Sequence, residues 1–322
     1  MNRIAVMLLA YFSVSAILFA AGTMSQVKFY GEKLVPAVAS LLLLVPIYLW
    51  YSSHKERAKL SFQLPEKAGR SVWIWVLGLF LLAMAVRIPM VLLTGMAWEK
   101  TAVIYLVTLS IVFVFNCNPA LFGFKTENLE RALAVGLVYY TIFEFSSAFS
   151  YALLVYFFTG EIVAVGYNPL PFLFAMPFMT LCVGISEEGL FRGFMQTLLG
   201  KFYSQKKANL IQALLFGFWH FVWNLNPLDL AGMSLYIAGT FLVGALFGYF
   251  YSLTKNIMPL IIVHGLVDSF PSGYIFNQNA LNQLQNQHFA AQITAQMLPS
   301  ILPIIIMFLL TKHLAGKLTP QA

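Results

Sequence analysis

Charge is what this sequence has least of. Only 10% of its 322 residues are Asp, Glu, Lys or Arg, whereas a water-soluble domain carries roughly a quarter. With 60% hydrophobic residues and a mean hydropathy of +0.79, a water-soluble fold would have far more apolar surface than it could hide. Cysteine is nearly missing too. Cys117 and Cys182 form no Cys-x-x-Cys or metal-binding spacing, so both are expected to be buried free thiols. No His-Glu-x-x-His run occurs, and therefore no zinc site can be assigned from local spacing. Repeats and low-complexity tracts are absent. The formal charge of +7 is spread over short links between apolar runs, without the continuous basic tract expected of a nucleic-acid partner.

What the sequence does have is apolar length. Stretches such as Leu133 to Phe143 and Ala238 to Phe250 carry no charge at all, and the bilayer is their natural solvent. At about 20 residues per crossing, helices are predicted near residues 4–22, 34–52, 71–94, 101–122, 133–158, 170–199, 209–224, 231–253, 257–270 and 295–314. The expected fold is an all-α polytopic bundle of about eight to ten transmembrane helices. The first apolar run lacks a small-x-small cleavage site before Ser25, which favours a first span over a signal peptide. The ninth is short, with Pro259 suited to its first turn.

The positive-inside rule then orients the chain. Of the 19 Lys and Arg residues, Arg87 and Arg192 fall within predicted helices; Lys28, Lys33 and Lys100 fall outside, and the others, from Arg3 to Lys317, fall inside. Both termini are thus expected in the cytoplasm. The Asn- and Gln-rich stretch 271–292 reads as an external loop, and the glycine pairs Gly189/Gly193 and Gly244/Gly248 read as close helix packing.

Ionisable groups inside a bilayer are costly and call for an account. The sixth segment carries Ser186-Glu187-Glu188-Gly189-Leu190-Phe191-Arg192, the seventh Phe216-Gly217-Phe218-Trp219-His220 and the ninth His264-Gly265-Leu266-Val267-Asp268. Glu188 and Arg192 are four apart and can pair on one helix face. Glu187 is rotated by about 100° and need not share that partner, so it is the freer carboxylate for taking a proton from water. Asp268 lies one turn from His264 and can orient its imidazole. Counted along each helix, Glu187 lies roughly 21 Å from Lys201, His220 roughly 20 Å from Lys207, and His264 and Asp268 roughly 14 and 20 Å from Lys255. One polar layer results, suited to amide hydrolysis by Glu187-activated water. His220 and His264 would stabilise the oxyanion, either as donors or through a metal. Zinc suits two imidazoles and a carboxylate, with His220, His264 and Asp268 as candidate ligands. Glu144 and Arg87 read as lone structural groups. The competing use of the same residues is a proton or ion pathway.

These three motifs resemble those of the CPBP (Abi, or CAAX-protease-like) family of intramembrane proteases: Glu-Glu-x-x-x-Arg at Glu187 to Arg192, Phe-x-x-x-His at Phe216 to His220, and His-x-x-x-Asn/Asp at His264 to Asp268. The resemblance spans roughly Pro169 to Phe270. It implies Glu187 as the water-activating base with Glu188 and Arg192 in support, and His220, His264 and Asp268 as polar or metal-binding members of the site. Asp268 stands where the eukaryotic-type prenyl-protein proteases carry Asn, which argues against a strictly prenylated substrate. The resemblance further implies a bacterial plasma-membrane protein acting on a protein or peptide, lipid-modified or not, with lipid as its other partner. Bacteriocin immunity or proton-coupled transport without catalysis is the alternative role. Three regions follow: 1–165 with no recognised motif, a catalytic core at 166–275, and an external loop with a last helix at 276–322.

Overall fold

The computed structural model describes residues 2–25, 27–29, 32–54, 69–161, 165–269, 274–276, 283 and 289–318. They form a helical bundle: α1 (Arg3–Met24), α2 (Leu34–Leu42), α3 (Leu44–His54), α4 (Gly69–Thr94), α5 (Lys100–Thr108), α6 (Leu129–Thr159), α7 (Pro169–Leu199), α8 (Gln205–Trp219), α9 (Leu230–Thr254), α10 (Met258–Ser269) and α11 (Phe289–Gly316). Two antiparallel ribbons accompany them, β1 (Lys28–Phe29) with β2 (Glu32–Lys33) and β3 (Val165–Tyr167) with β4 (Tyr274–Phe276). The β4 strand falls within the stretch expected to be an external loop with room for a short surface helix. Most of the rest of that stretch lies outside the described residues.

Among the described residues, six helical runs are long and apolar enough to cross a membrane: Arg3–Met24, Leu34–Ser53, Ser71–Thr94, Leu129–Thr159, Pro169–Leu199 and Leu230–Thr254. The protein is therefore an integral, multi-pass membrane protein. Three segments counted as crossings from the sequence, the 101–122 helix among them, are shorter than a full span. Helix α8 has 15 residues and α10 has 12, about 22 and 18 Å of rise against a hydrocarbon core of about 30 Å. The predicted 209–224 helix ends at Trp219, where the chain tightens into a 3-10 turn (Phe221–Asn224), and Asp229 then caps α9 by accepting from Gly232 N. The predicted 101–122 helix also stops early. After a π-type turn (Leu109–Val114), Asn116 takes a positive φ of 54° and Asn118 caps a separate turn that begins at Pro119. Proline cannot donate the backbone bond needed to continue the helix.

The core helices approach one another backbone to backbone. A Cβ added at Gly265 of α10 would sit 2.3 Å from Thr180 Cα of α7, and one at Gly184 of α7 would sit 2.7 Å from the Ile261 carbonyl of α10. Glycine at both positions lets α7 and α10 cross in contact. Gly244 of α9 does the same against Ala213 of α8, Gly248 makes room for the Asn209 and Gln212 side chains, and Gly189 and Gly193 pack against Phe124 and the Phe122 carbonyl. Cys117 and Cys182 are buried free thiols, as expected.

Substituting Gly265→Val should cost about 1–3 kcal/mol or more through overpacking, read as a lower melting temperature of the detergent-solubilised protein. Gly239→Ala, where an added Cβ meets nothing within 4 Å, should leave the melting temperature unchanged or slightly raised. Equal effects of the two changes would contradict the close crossing.

Candidate active site

The α7–α10 crossing and the end of α8 bring the three motifs together. In α7, Glu187 and Glu188 sit on a short α-helical stretch (Ile185–Glu188) between two π-type turns, Met179–Gly184 and Gly189–Gln196. Widened turns of this kind recur at functional sites because they re-aim side chains that a regular helix would fix. His220 follows the last residue of α8, and His264 lies in the middle of α10. Glu187 Oε2 is 3.5 Å from His264 Nε2 and 3.7 Å from His220 Nε2, and His264 Nε2 is 3.5 Å from Asp268 Oδ2. The polar groups expected to share one layer thus face one another. Asp268 is 40% exposed and Glu187 only 3%, so the cluster is open on its Asp268 side.

The two glutamates hold different partners. Glu188 Oε1 accepts from Arg192 Nη1 at 3.0 Å and from His264 Nδ1 at 2.7 Å. Arg192 is further held by the Gly244 carbonyl at 3.4 Å, with its guanidinium over the Phe216 ring at 4.2 Å. The pair expected from the four-residue spacing is present, and it also orients a histidine. Glu187 differs from the freer carboxylate expected of it. Its Oε1 accepts from Lys100 Nζ in a short, buried ion pair and from Trp219 Nε1 at 2.8 Å. Only its Oε2 has no hydrogen-bond partner, although it is fully buried. A buried carboxylate oxygen without a donor is expensive, and this one faces the two imidazoles.

Lys100 corrects the topology reading, which placed it in an external loop. Its residue is 1% exposed and its ammonium lies 4.6 Å from the Trp219 ring centre and 3.7 Å from Glu99 Oε1. Arg87, expected to be a lone structural group, is not alone. Its Nη1 donates to Glu99 Oε1 at 2.5 Å, its Nε donates to the Trp219 carbonyl at 3.1 Å, and the guanidinium lies 4.4 Å from the Trp219 ring. Arg87, Glu99, Lys100 and Glu187 form one buried chain of alternating charge. The signal available in the sequence was the balance: Arg87, Lys100 and Arg192 in or beside apolar runs match Glu99, Glu187 and Glu188 one for one. Counting Lys100 as a loop residue concealed it.

The hydrogen bonds also assign protons. His220 Nδ1 lies 2.8 Å from the Phe216 carbonyl, which can only accept, so Nδ1 carries a hydrogen, and in the neutral imidazole Nε2 then presents a lone pair toward Glu187 Oε2. His264 Nδ1 donates to Glu188, while its Nε2 faces Glu187 and Asp268. Among the described residues, no group of three His, Cys, Asp or Glu side chains has the arrangement of a metal site. The chemistry proposed from this arrangement is carried by the side chains alone.

Residues 169–270 match the family model described as type II CAAX prenyl endopeptidase Rce1-like. No curated protein and no solved structure matches the chain.

Lys100→Met should destabilise the protein by about 3–5 kcal/mol, because it strands the Glu187 charge without its cation. Adding Glu187→Gln should recover part of that loss, so the double variant melts above the Lys100→Met single variant. Strictly additive losses in a double-mutant cycle would show that the two side chains are not coupled.

Proposed function

We propose that this chain, a member of the CAAX-protease-like family through its residues 169–270, is an intramembrane endopeptidase that cleaves a membrane-associated protein or peptide with a water activated by Glu187. Family membership supports a CAAX-protease-like endopeptidase in general. The observation that carries the finer reading is the single unpaired oxygen of Glu187, aimed at the Nε2 atoms of His220 and His264.

A water between these three atoms would donate one hydrogen to Glu187 Oε2 and the other to the lone pair of His220 Nε2. As its oxygen attacks the scissile carbonyl carbon, Glu187 takes the proton and the carbonyl oxygen becomes an oxyanion. His264 is the group suited to that oxyanion. With Glu188 at Nδ1 and Asp268 beside Nε2, the ring has carboxylates on both sides to support an imidazolium whose Nε2–H donates. When the tetrahedral intermediate collapses, the carbon–nitrogen bond breaks and the leaving amine takes the proton back from Glu187. Lys100 and Trp219 occupy the other Glu187 oxygen, which leaves Oε2 for water. Arg192 holds Glu188, and Glu188 holds the His264 ring. Lys125, Lys201 and Lys255 line one cavity and so lie at one end of the bundle; in the positive-inside reading that end is cytoplasmic. A plasma membrane is the proposed location.

Glu187→Gln should lower cleavage of membrane-peptide substrates by protein in vesicles about 10²–10⁴-fold, while Asp268→Asn, which removes one of the two carboxylates beside His264, should lower it by a smaller factor. Undiminished cleavage by Glu187→Gln would end the proposal. A cellular protection or transport phenotype that survives Glu187→Gln would instead point to a non-enzymatic role. Element analysis of wild type and a His220→Ala/His264→Ala double variant should find no stoichiometric zinc in either. One zinc per chain, lost with the histidines, would give the imidazoles a ligand role.

A further inference from the structure

Away from the candidate active site, a cavity of about 340 Å³ opens at the lysine-rich end of the bundle, lined by residues that include Lys125, Lys201, Lys255, Gln205 and Thr197. Its walls come from the turn after α5, the end of α7, the start of α8 and the α9–α10 junction, segments far apart in sequence. Three lysines line it. Among the described residues, neither Lys125 nor Lys255 forms an ion pair with a carboxylate.

Lys255 is the most constrained of the three. It closes α9 in the left-handed conformation, at a φ of 49°, which non-glycine residues adopt only at some cost. Its Nζ is fixed by Gln205 Oε1 at 2.5 Å, on the first turn of α8, and the side chain is partly buried. Burial, and then the charges of Lys125 and Lys201, lower its hold on its proton. A cluster of like charges around one hollow raises the energy of the empty protein and is relieved by a bound anion. Lysine topology alone does not call for such a hollow, since charges that only mark the membrane interface can point apart into water.

We propose that this cavity binds a phosphate-bearing anion, of the kind presented by the headgroup of an anionic phospholipid at the membrane surface. Lys125 and Lys255 grip the phosphate oxygens as point charges, with Lys201 at the rim. The site is independent of the proposed peptidase chemistry and would hold equally for a non-catalytic protein.

The test is a thermal-shift titration of the full-length protein in detergent with three probes: phosphatidylglycerol, phosphatidylcholine and inorganic phosphate. Wild type should be stabilised by phosphatidylglycerol and not by phosphatidylcholine. Stabilisation by inorganic phosphate as well would show that the phosphate group suffices, and its absence would assign the site to the lipid. Lys125→Gln/Lys255→Asn, in which Asn suits the left-handed position, should bind phosphatidylglycerol about tenfold or more weakly. Lys206→Gln/Lys312→Gln removes the same charge away from the cavity and should bind as wild type does. If the cavity double variant does not fold, Lys125→Gln alone should still weaken binding roughly fivefold relative to Lys206→Gln. No preference of wild type for phosphatidylglycerol over phosphatidylcholine, or equal losses in cavity and control variants, would overturn the proposal.

Discussion

Full charges in an apolar interior are tolerated only when each has an opposite partner close by, because the desolvation penalty of a stranded ion is several kcal/mol. In this protein that constraint is met by a buried set of three cations and three carboxylates: Arg87 with Glu99, Lys100 with Glu187, and Arg192 with Glu188. The set links the Arg87-to-Lys100 segment, from within α4 to the start of α5, to the Glu187-to-Arg192 stretch of α7, which ties the first half of the chain to the second. Pairing of this kind buys little net stability, but it fixes geometry, since any rearrangement that separates one pair exposes two charges to the apolar interior.

The chemistry depends on how those pairs divide the carboxylate oxygens. Lys100 and Trp219 together claim one oxygen of Glu187 and leave the other toward His220 and His264. Glu188 also keeps one buried oxygen without a partner, but Arg192 and His264 share its other oxygen, and it is Glu187 Oε2 that lies within 4 Å of both histidine Nε2 atoms. Trp219 has several parts to play at once: its indole N–H binds Glu187, its carbonyl binds Arg87, its ring lies under Arg87 and Lys100, and the next residue is His220. The end of α8 is thereby locked to the charge chain. The glycine contacts at Gly184 and Gly265 supply the remaining requirement, that α7 and α10 come close enough for His264 to reach both glutamates.

Much of this was legible in the sequence. Apolar length and scarce charge give the helical membrane fold, and the four-residue spacings give the Glu188–Arg192 and His264–Asp268 neighbours, because helix geometry is local. What could not be read were events that depend on tertiary placement. A hydropathy window counts apolar residues without seeing where a chain turns, so the early stops at Val114 and Trp219 were missed and three short helices were taken for crossings. Lys100 was misplaced for a related reason. At the edge of an apolar run a lysine looks like a loop residue, and only the carboxylate supplied by a helix 87 residues later shows that it is buried. Arg87 looked alone because its partner, Glu99, falls between the predicted helices 71–94 and 101–122.

The central claim is that Lys100 and Glu187 are in contact inside the membrane. It is tested most directly by magnetic-resonance measurement of the dipolar coupling between Lys100 Nζ and the Glu187 side-chain carboxyl carbon, in isotope-labelled protein reconstituted in lipid and assigned with Lys100 and Glu187 variants. A coupling corresponding to a separation within about 4 Å, the reach of an ion pair, is the result expected. No measurable coupling at that pair in folded protein would contradict the charge chain, and with it the account of how Glu187 keeps one oxygen free.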